Sequence, residues 1–259
     1  MPMFDSKAIK SHFSQAASRY DSHARLQQSV MQYALSLALH VWPKSGQIAD
    51  IGSGTGLLAK TLSKPSLVFD IAQLDMAYGM CVQAQSHSPI TVNGDACRLP
   101  FADNMFDGVF SSLMLQWLDK PEAAFSEMAR VLKPGHCAVV STFTEGTLKE
   151  LKASFAAVDS HSHTSDFLST AAWLQKARDA GFNLCQSEEK NITEYYTDVK
   201  SLMRTIKAIG ATHKDNARRR GMMTPRQLQA LEAHYSKQYG NRQGLPLSWQ
   251  LLYMVLRKD

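Results

Sequence analysis

Asp50-Ile51-Gly52-Ser53-Gly54-Thr55-Gly56 sets three glycines at alternate positions, immediately before an apolar helical pattern (Leu57, Leu58, Leu62). Glycine carries no Cβ, so a turn this rich in it lets backbone come very close to a ligand. The N–H groups that open the next helix are unpaired and favour polar or anionic groups. The stretch reads as a nucleotide-type binding turn. A nucleoside site also needs an acid at the tip of the following strand, whose two oxygens accept from both ribose hydroxyls. Asp70 and Asp75 compete for that place. Asp75 lies nineteen residues beyond Gly56, near the usual spacing of about twenty, and Met76 leads from it into a turn. Asp75 is therefore the choice. A third acid, in Asn93-Gly94-Asp95-Ala96, follows a short strand beside a glycine that opens space, where it can accept from an exocyclic amine.

These residues need a frame that brings strand ends together. The spacing predicts strands near Gln47–Ile51, Leu67–Asp75, Ile90–Val92, Gly108–Ser112, Ala138–Phe143, Leu184–Tyr196 and Leu247–Leu256. Helical patterns alternate with most of them, as in a parallel, doubly wound sheet whose ligands sit beyond the carboxyl ends of the strands. Asp5 to about Val41 reads as two helices, with Asp21 a candidate start for the second. Their junction carries Tyr20 and His23, so they either cover the sheet edge or form a lid. Asp198–Ile209 and Pro225–Tyr239 are helices inserted between the last two strands, and they too could roof the crevice. The expected organisation is one domain: an N-terminal helical segment over 1–41, a ligand-binding core over 46–145 and an inserted helical lid over 197–240.

Composition limits the classes. The 259 residues, 44% hydrophobic and 20% charged, suffice for a normal core. A net charge of +5 permits an acidic partner without demanding nucleic acid. No apolar run is long enough to cross a membrane, and Met1 to Lys10 is too polar for a signal peptide. Cys81, Cys97, Cys137 and Cys185 are scattered without metal-ligand spacing. They read as reduced core residues of a cytoplasmic protein.

Taken together, Asp50 to Gly56, Asp75, Gly94-Asp95-Ala96, Leu99-Pro100-Phe101 with Phe106-Asp107, and Leu132-Lys133-Pro134-Gly135 resemble a class I S-adenosylmethionine-dependent methyltransferase. The glycines alternate as G-x-G-x-G, whereas a hydride-transferring dinucleotide enzyme would show G-x-G-x-x-G. Over nearly the whole chain the sequence is similar to the malonyl-[acyl-carrier protein] O-methyltransferases of biotin synthesis. The stretches that carry this are Phe13 to Ala24, Leu115-Gln116-Trp117, Gly146 to Leu151, Leu202 to His213 and Leu245 to Trp249. It departs at His163-Thr164-Ser165-Asp166-Phe167, where an acid replaces a basic residue, so no substrate role passes to Asp166. His136 stands where a second glycine is usual.

The resemblance implies a Rossmann-like α/β fold, with a seven-stranded, mostly parallel sheet, helices on both faces and a helical lid. It implies S-adenosylmethionine as cofactor, held by Asp50, Gly52, Gly54, Gly56, Asp75, Met76, Asp95, Ala96 and Leu113. The methyl acceptor would be the free carboxylate of a malonyl thioester. That group is already ionised at neutral pH and needs no general base. Arg204, with its planar fork, is the first candidate to hold it, or else it pairs with a local carboxylate. Lys207 lies one turn on, His213 follows, and Tyr20 and Gln116 are candidates to line the site. The acyl-carrier protein is the expected partner, with Lys214, Arg218, Arg219 and Arg220 as a docking surface. The alternative is a methyltransferase for a small molecule such as a quinone precursor.

Overall fold

The computed structural model describes residues 6–63, 68–158, 166–208 and 224–259. Its centre is a seven-stranded sheet in the order β3-β2-β1-β4-β5-β7-β6. The strands are β1 (Ser45–Ile51), β2 (Val68–Asp75), β3 (Ile90–Asn93), β4 (Phe106–Ser112), β5 (Leu132–Phe143), β6 (Phe182–Tyr196) and β7 (Leu245–Lys258). Neighbours from β3 through β5 pair in parallel, while β7 runs antiparallel between β5 and β6. The apolar final strand is thus interior to the sheet, as its composition demands. The order reverses between β1 and β4, so a crevice opens there beyond the carboxyl ends of the strands.

Strand periodicity divides the core in two. Ile48, Val139, Leu251 and Tyr253 point to one face, while Ala49, Val140, Leu252 and Met254 point to the other. The first face is covered by α2 (Arg25–Val41), α3 (Leu57–Leu62), α6 (Lys149–Val158), α8 (Val199–Ala208) and α9 (Pro225–Tyr239). The second is covered by α5 (Pro121–Val131) and α7 (Thr170–Asp179). Each large side chain buried here contributes about 1.5–3 kcal/mol.

The two N-terminal helices have different duties. In α2, Leu26, Val30, Met31, Ala34, Leu35 and Ala38 are all buried, and Trp42 just beyond it donates from Nε1 to the Cys137 carbonyl at 3.0 Å. This helix is a layer of the core. The other helix, α1 (Ser6–His23), packs instead on α4 (Tyr78–Ala84) at the crevice, and also touches α8. The break between them falls at Ala24. Asp21 does not start the second helix but sits in the last turn of α1.

Two separated stretches singled out by the family resemblance turn out to be partners. Glu150 accepts from Ser248 Oγ at 2.6 Å and from Ser248 N at 3.1 Å, and Leu148 N donates to the Ser248 carbonyl at 2.8 Å. They fasten α6 to β7 in a buried polar joint. Of the cysteines, Cys81 and Cys137 are buried and Cys97 is half-buried. Cys185 is exposed on the edge strand β6, so it is not a core residue. No described helix is long and apolar enough to cross a membrane.

Candidate active site

At the end of β1 the chain turns through Gly52, Gly54 and Gly56, all with positive φ (78°, 56° and 84°). Their roles differ. A Cβ on Gly54 would meet nothing within 4 Å, and Gly54 lines the crevice. A Cβ on Gly52 would lie 2.4 Å from Met114 Cγ, so the turn after β4 interlocks with the turn after β1. Gly56 does not line the crevice. A Cβ there would strike Gln73 Oε1 at 2.5 Å and the Ala84 backbone at 3.0 Å. The expectation that Gly56 holds ligand is not met by the cleft lining: Gly56 is small so that the turn can pack against Gln73 of β2 and Ala84 at the end of α4.

The crevice is a cleft of about 1070 Å³. Asp50, Gly52, Gly54, Asp75, Met76, Asp95, Ala96 and Leu113 all line it, as does Tyr20 from α1. The Asp75 carboxylate is aimed by two backbone donors, Gly54 N at 2.9 Å and Ala77 N at 2.8 Å. Asp95 takes the Cys97 N–H at 2.9 Å, which holds it at the rim. Phe13 packs edge-on against both Tyr20 (6.1 Å between centroids) and Trp117 (5.8 Å), so α1 reaches across to the segment after β4.

The electrostatics point to a cationic ligand. The described lining includes four carboxyl groups, from Asp21, Asp50, Asp75 and Asp95; among the described residues no lysine, arginine or histidine lines it. Burial pushes the Asp50 carboxyl up to about 8, and the nearby charge of Asp75 adds to this. Burial also raises Asp75, against the pull of the Ala77 and Gly54 N–H groups. The Tyr20 phenol is raised by burial first, then by Asp75 and Asp21. Two buried lining atoms, Ser53 Oγ and Gln27 Oε1, lack a hydrogen-bond partner among the described residues. A ligand carrying positive charge as well as groups that donate and accept would answer both features.

Other candidates fall elsewhere. Gln116 does not line this cleft; it is buried beneath it, donating from Nε2 to the Leu113 carbonyl at 2.6 Å and accepting from Thr142 Oγ1 at 3.2 Å. Arg204 and Lys207 lie on the exposed side of α8, because Val199, Leu202 and Ile206 turn its apolar stripe inward. Neither lines the cleft. Arg204 lowers the carboxyl of Asp198 slightly, after the larger effect of the Ser201 N–H. His213, Lys214, Arg218, Arg219 and Arg220 lie outside the described residues. Sequence reasoning missed Asp21, Gln27 and Met114. Only Asp21 carried a signal, its place beside Tyr20 at the helix junction.

The sheet order, the glycine turn and the strand-end acids define a Rossmann-like methyltransferase fold. A methyltransferase-domain family profile matches residues 49–140. The YcgJ protein of Bacillus subtilis superimposes with a TM-score of 0.60 at 18% identity, over 88% of this chain and 99% of that one. The particular family follows from full-length kinship. The malonyl-[acyl-carrier protein] O-methyltransferase of Herminiimonas arsenicoxydans is 34% identical over 100% of this chain and 98% of its own. The chain belongs to the malonyl-[acyl-carrier protein] O-methyltransferase family. It is also 34% identical to the biotin biosynthesis bifunctional protein BioHC of Cellvibrio japonicus, covering 98% of this chain but spanning about half (50%) of that relative's length. The methyl donor that goes with this fold and family is S-adenosylmethionine. Its ammonium and sulfonium fit the acidic lining described above.

Proposed function

We propose that this protein, working in the cytoplasm, methylates the free carboxylate of malonate carried as a thioester on acyl-carrier protein, giving the methyl ester. The observation that carries this reading is the near-complete coverage shared with a carrier-protein O-methyltransferase, inserted helices included. The acidic cleft supports it.

S-adenosylmethionine supplies an electrophilic methyl on a sulfonium. In this reading Asp75, oriented by Gly54 and Ala77, accepts from the ribose hydroxyls with charge-assisted hydrogen bonds. Asp50 accepts from the ammonium of the methionyl end, and Gly52 and Gly54 bring backbone close to it. Asp95 accepts from the adenine amine, with the Ala96 N–H facing the ring and Met76 beside it. Leu113 faces the sulfonium.

The acceptor carboxylate is ionised already, so the protein needs no base. Carboxylate and sulfonium are both charged before transfer and neutral after it, so excluding water favours reaction. Helix α1, with Phe13, Tyr20 and Asp21, does that while aligning the reactants. The exposed side chains Lys200, Arg204 and Lys207, at i, i+4 and i+7 on α8, form a basic stripe. With Lys214, Arg218, Arg219 and Arg220 that stripe is the docking face for the carrier protein.

Purified protein with labelled S-adenosylmethionine should transfer methyl to malonyl-carrier protein and far less to succinyl-carrier protein. Labelling of a quinone precursor with none on the malonyl carrier would overturn the reading.

A further inference from the structure

Leu113 leaves β4 with φ +52°, a left-handed conformation that a side chain of its size rarely adopts. Something must hold it there, and three hydrogen bonds do. Leu113 N donates to the Ser141 carbonyl at 2.9 Å. The Leu113 carbonyl accepts from Gln116 Nε2 at 2.6 Å. Gln116 Oε1 is itself fixed by Thr142 Oγ1 at 3.2 Å, so the amide cannot flip without losing both bonds. Gln116, Thr142 and Ser141 are all buried.

The bend has a purpose on the cleft side. It delivers Met114 onto Gly52, where its side chain fills the space a Cβ would need. Leu113 and Met114 are both lining residues. The turn after β4 therefore sets the wall against which the glycine turn is shaped.

We propose that Gln116 is a positioning residue: its amide clamps Leu113 in the left-handed conformation and so holds Leu113 and Met114 in register with Gly52 at the donor subsite. This rests on the reading that the cleft takes S-adenosylmethionine.

The test is a double-mutant cycle read by calorimetric affinity for S-adenosylhomocysteine, which needs no acceptor. Asparagine tolerates the left-handed region far better than leucine. Gln116→Met is expected to weaken binding about tenfold in the wild-type background but less than threefold when Leu113→Asn is already present, because the clamp then has less strain to hold. The same loss in both backgrounds, or a drop in melting temperature with unchanged affinity, would overturn it, since Gln116 would then be ordinary core. If Q116M does not fold, Thr142→Val frees the amide more gently; its smaller loss should likewise vanish with L113N, and persistence of that loss overturns the clamp. Wild-type protein that fails to bind S-adenosylhomocysteine would overturn the donor reading and the clamp together. Wild-type binding without coupling would overturn only the clamp.

Discussion

Thr55 Oγ1, inside the glycine turn, donates to the Asp21 carboxylate in the last turn of α1 at 2.7 Å. The covering helix is thus tied to the loop it covers, across a sequence separation of 34 residues. Ser14 adds a second tie, accepting from Gly79 N at 3.2 Å where α1 crosses α4. One such hydrogen bond contributes about 0.5–1.5 kcal/mol. Thr55→Val should therefore raise the KM for S-adenosylmethionine about two- to tenfold and speed donor release, with the melting temperature nearly unchanged. Stopped-flow release and steady-state kinetics read this. An unchanged release rate would mean that the tie does not restrain the donor.

The glycine turn should respond unequally to alanine. At Gly52 the added Cβ meets Met114 at both Cγ (2.4 Å) and Cβ (2.6 Å), and Cβ cannot swing away from its own backbone. Gly52→Ala should cost about 2 kcal/mol or more of stability, through the clash and the positive φ. At Gly54 the Cβ meets no protein atom within 4 Å, so only the strain of φ +56° remains, about 1–2 kcal/mol. If ligand backs onto Gly54, Gly54→Ala will stay folded yet lose at least about tenfold in donor affinity. Thermal melts paired with calorimetry separate the two cases. Donor affinity unaltered in G54A would remove Gly54 from the subsite.

Asp50 gives a pH signature. Its carboxyl is held up to about 8 in the folded protein, whereas an unfolded aspartate sits near 3.8. A raised folded value means that the stability linked to this group is present at low pH and is lost as pH rises toward 8. Asp50→Asn should therefore raise the melting temperature of the ligand-free protein at pH 8, with a smaller gain at pH 5. The same shift governs binding. Below about pH 8 the ligand-free protein keeps Asp50 protonated, and a cationic ligand favours the ionised form. Donor binding at pH 7 should release a proton to the buffer, detectable by calorimetry in buffers of different ionisation heat. D50N should lose most of that release. Equal proton release by both proteins would dissociate Asp50 from the ammonium.

The frame was legible because it is written in local pattern. Ile48 to Gly56 shows a strand end, a turn and a helix start within nine residues, and Asp75 declares itself by spacing. Asp75 lines the cleft, whereas Asp70 sits earlier on β2, paired with Gln47 of β1. What sequence could not carry were relationships across the chain. Gln116 has the composition of a lining residue, and only the Leu113 backbone conformation turns it into a buried clamp. Gly56 looks like its neighbours, and only the nearness of Gln73 and Ala84 makes it a packing glycine. Arg204 has the chemistry to hold a carboxylate. The inward stripe of Val199, Leu202 and Ile206 decides that it faces outward.

That outward placement sets two roles for Arg204 against each other. If it held the acceptor carboxylate, its loss would affect every malonyl thioester alike. If the stripe of Lys200, Arg204 and Lys207 meets the carrier protein, only carrier-bound substrate should notice. Rim charges act chiefly on encounter rate and are screened by salt, with a Debye length of about 8 Å near physiological ionic strength. The exposed position on α8 favours the second role. Arg204→Ala combined with Lys207→Ala should lower kcat/KM for malonyl-carrier protein several-fold at low salt, and the difference from wild type should shrink as salt is added. Turnover of malonyl-pantetheine, which has no protein to dock, should change less than twofold. An equal loss on both substrates, independent of salt, would return Arg204 to the carboxylate and require α8 to move over the cleft during turnover.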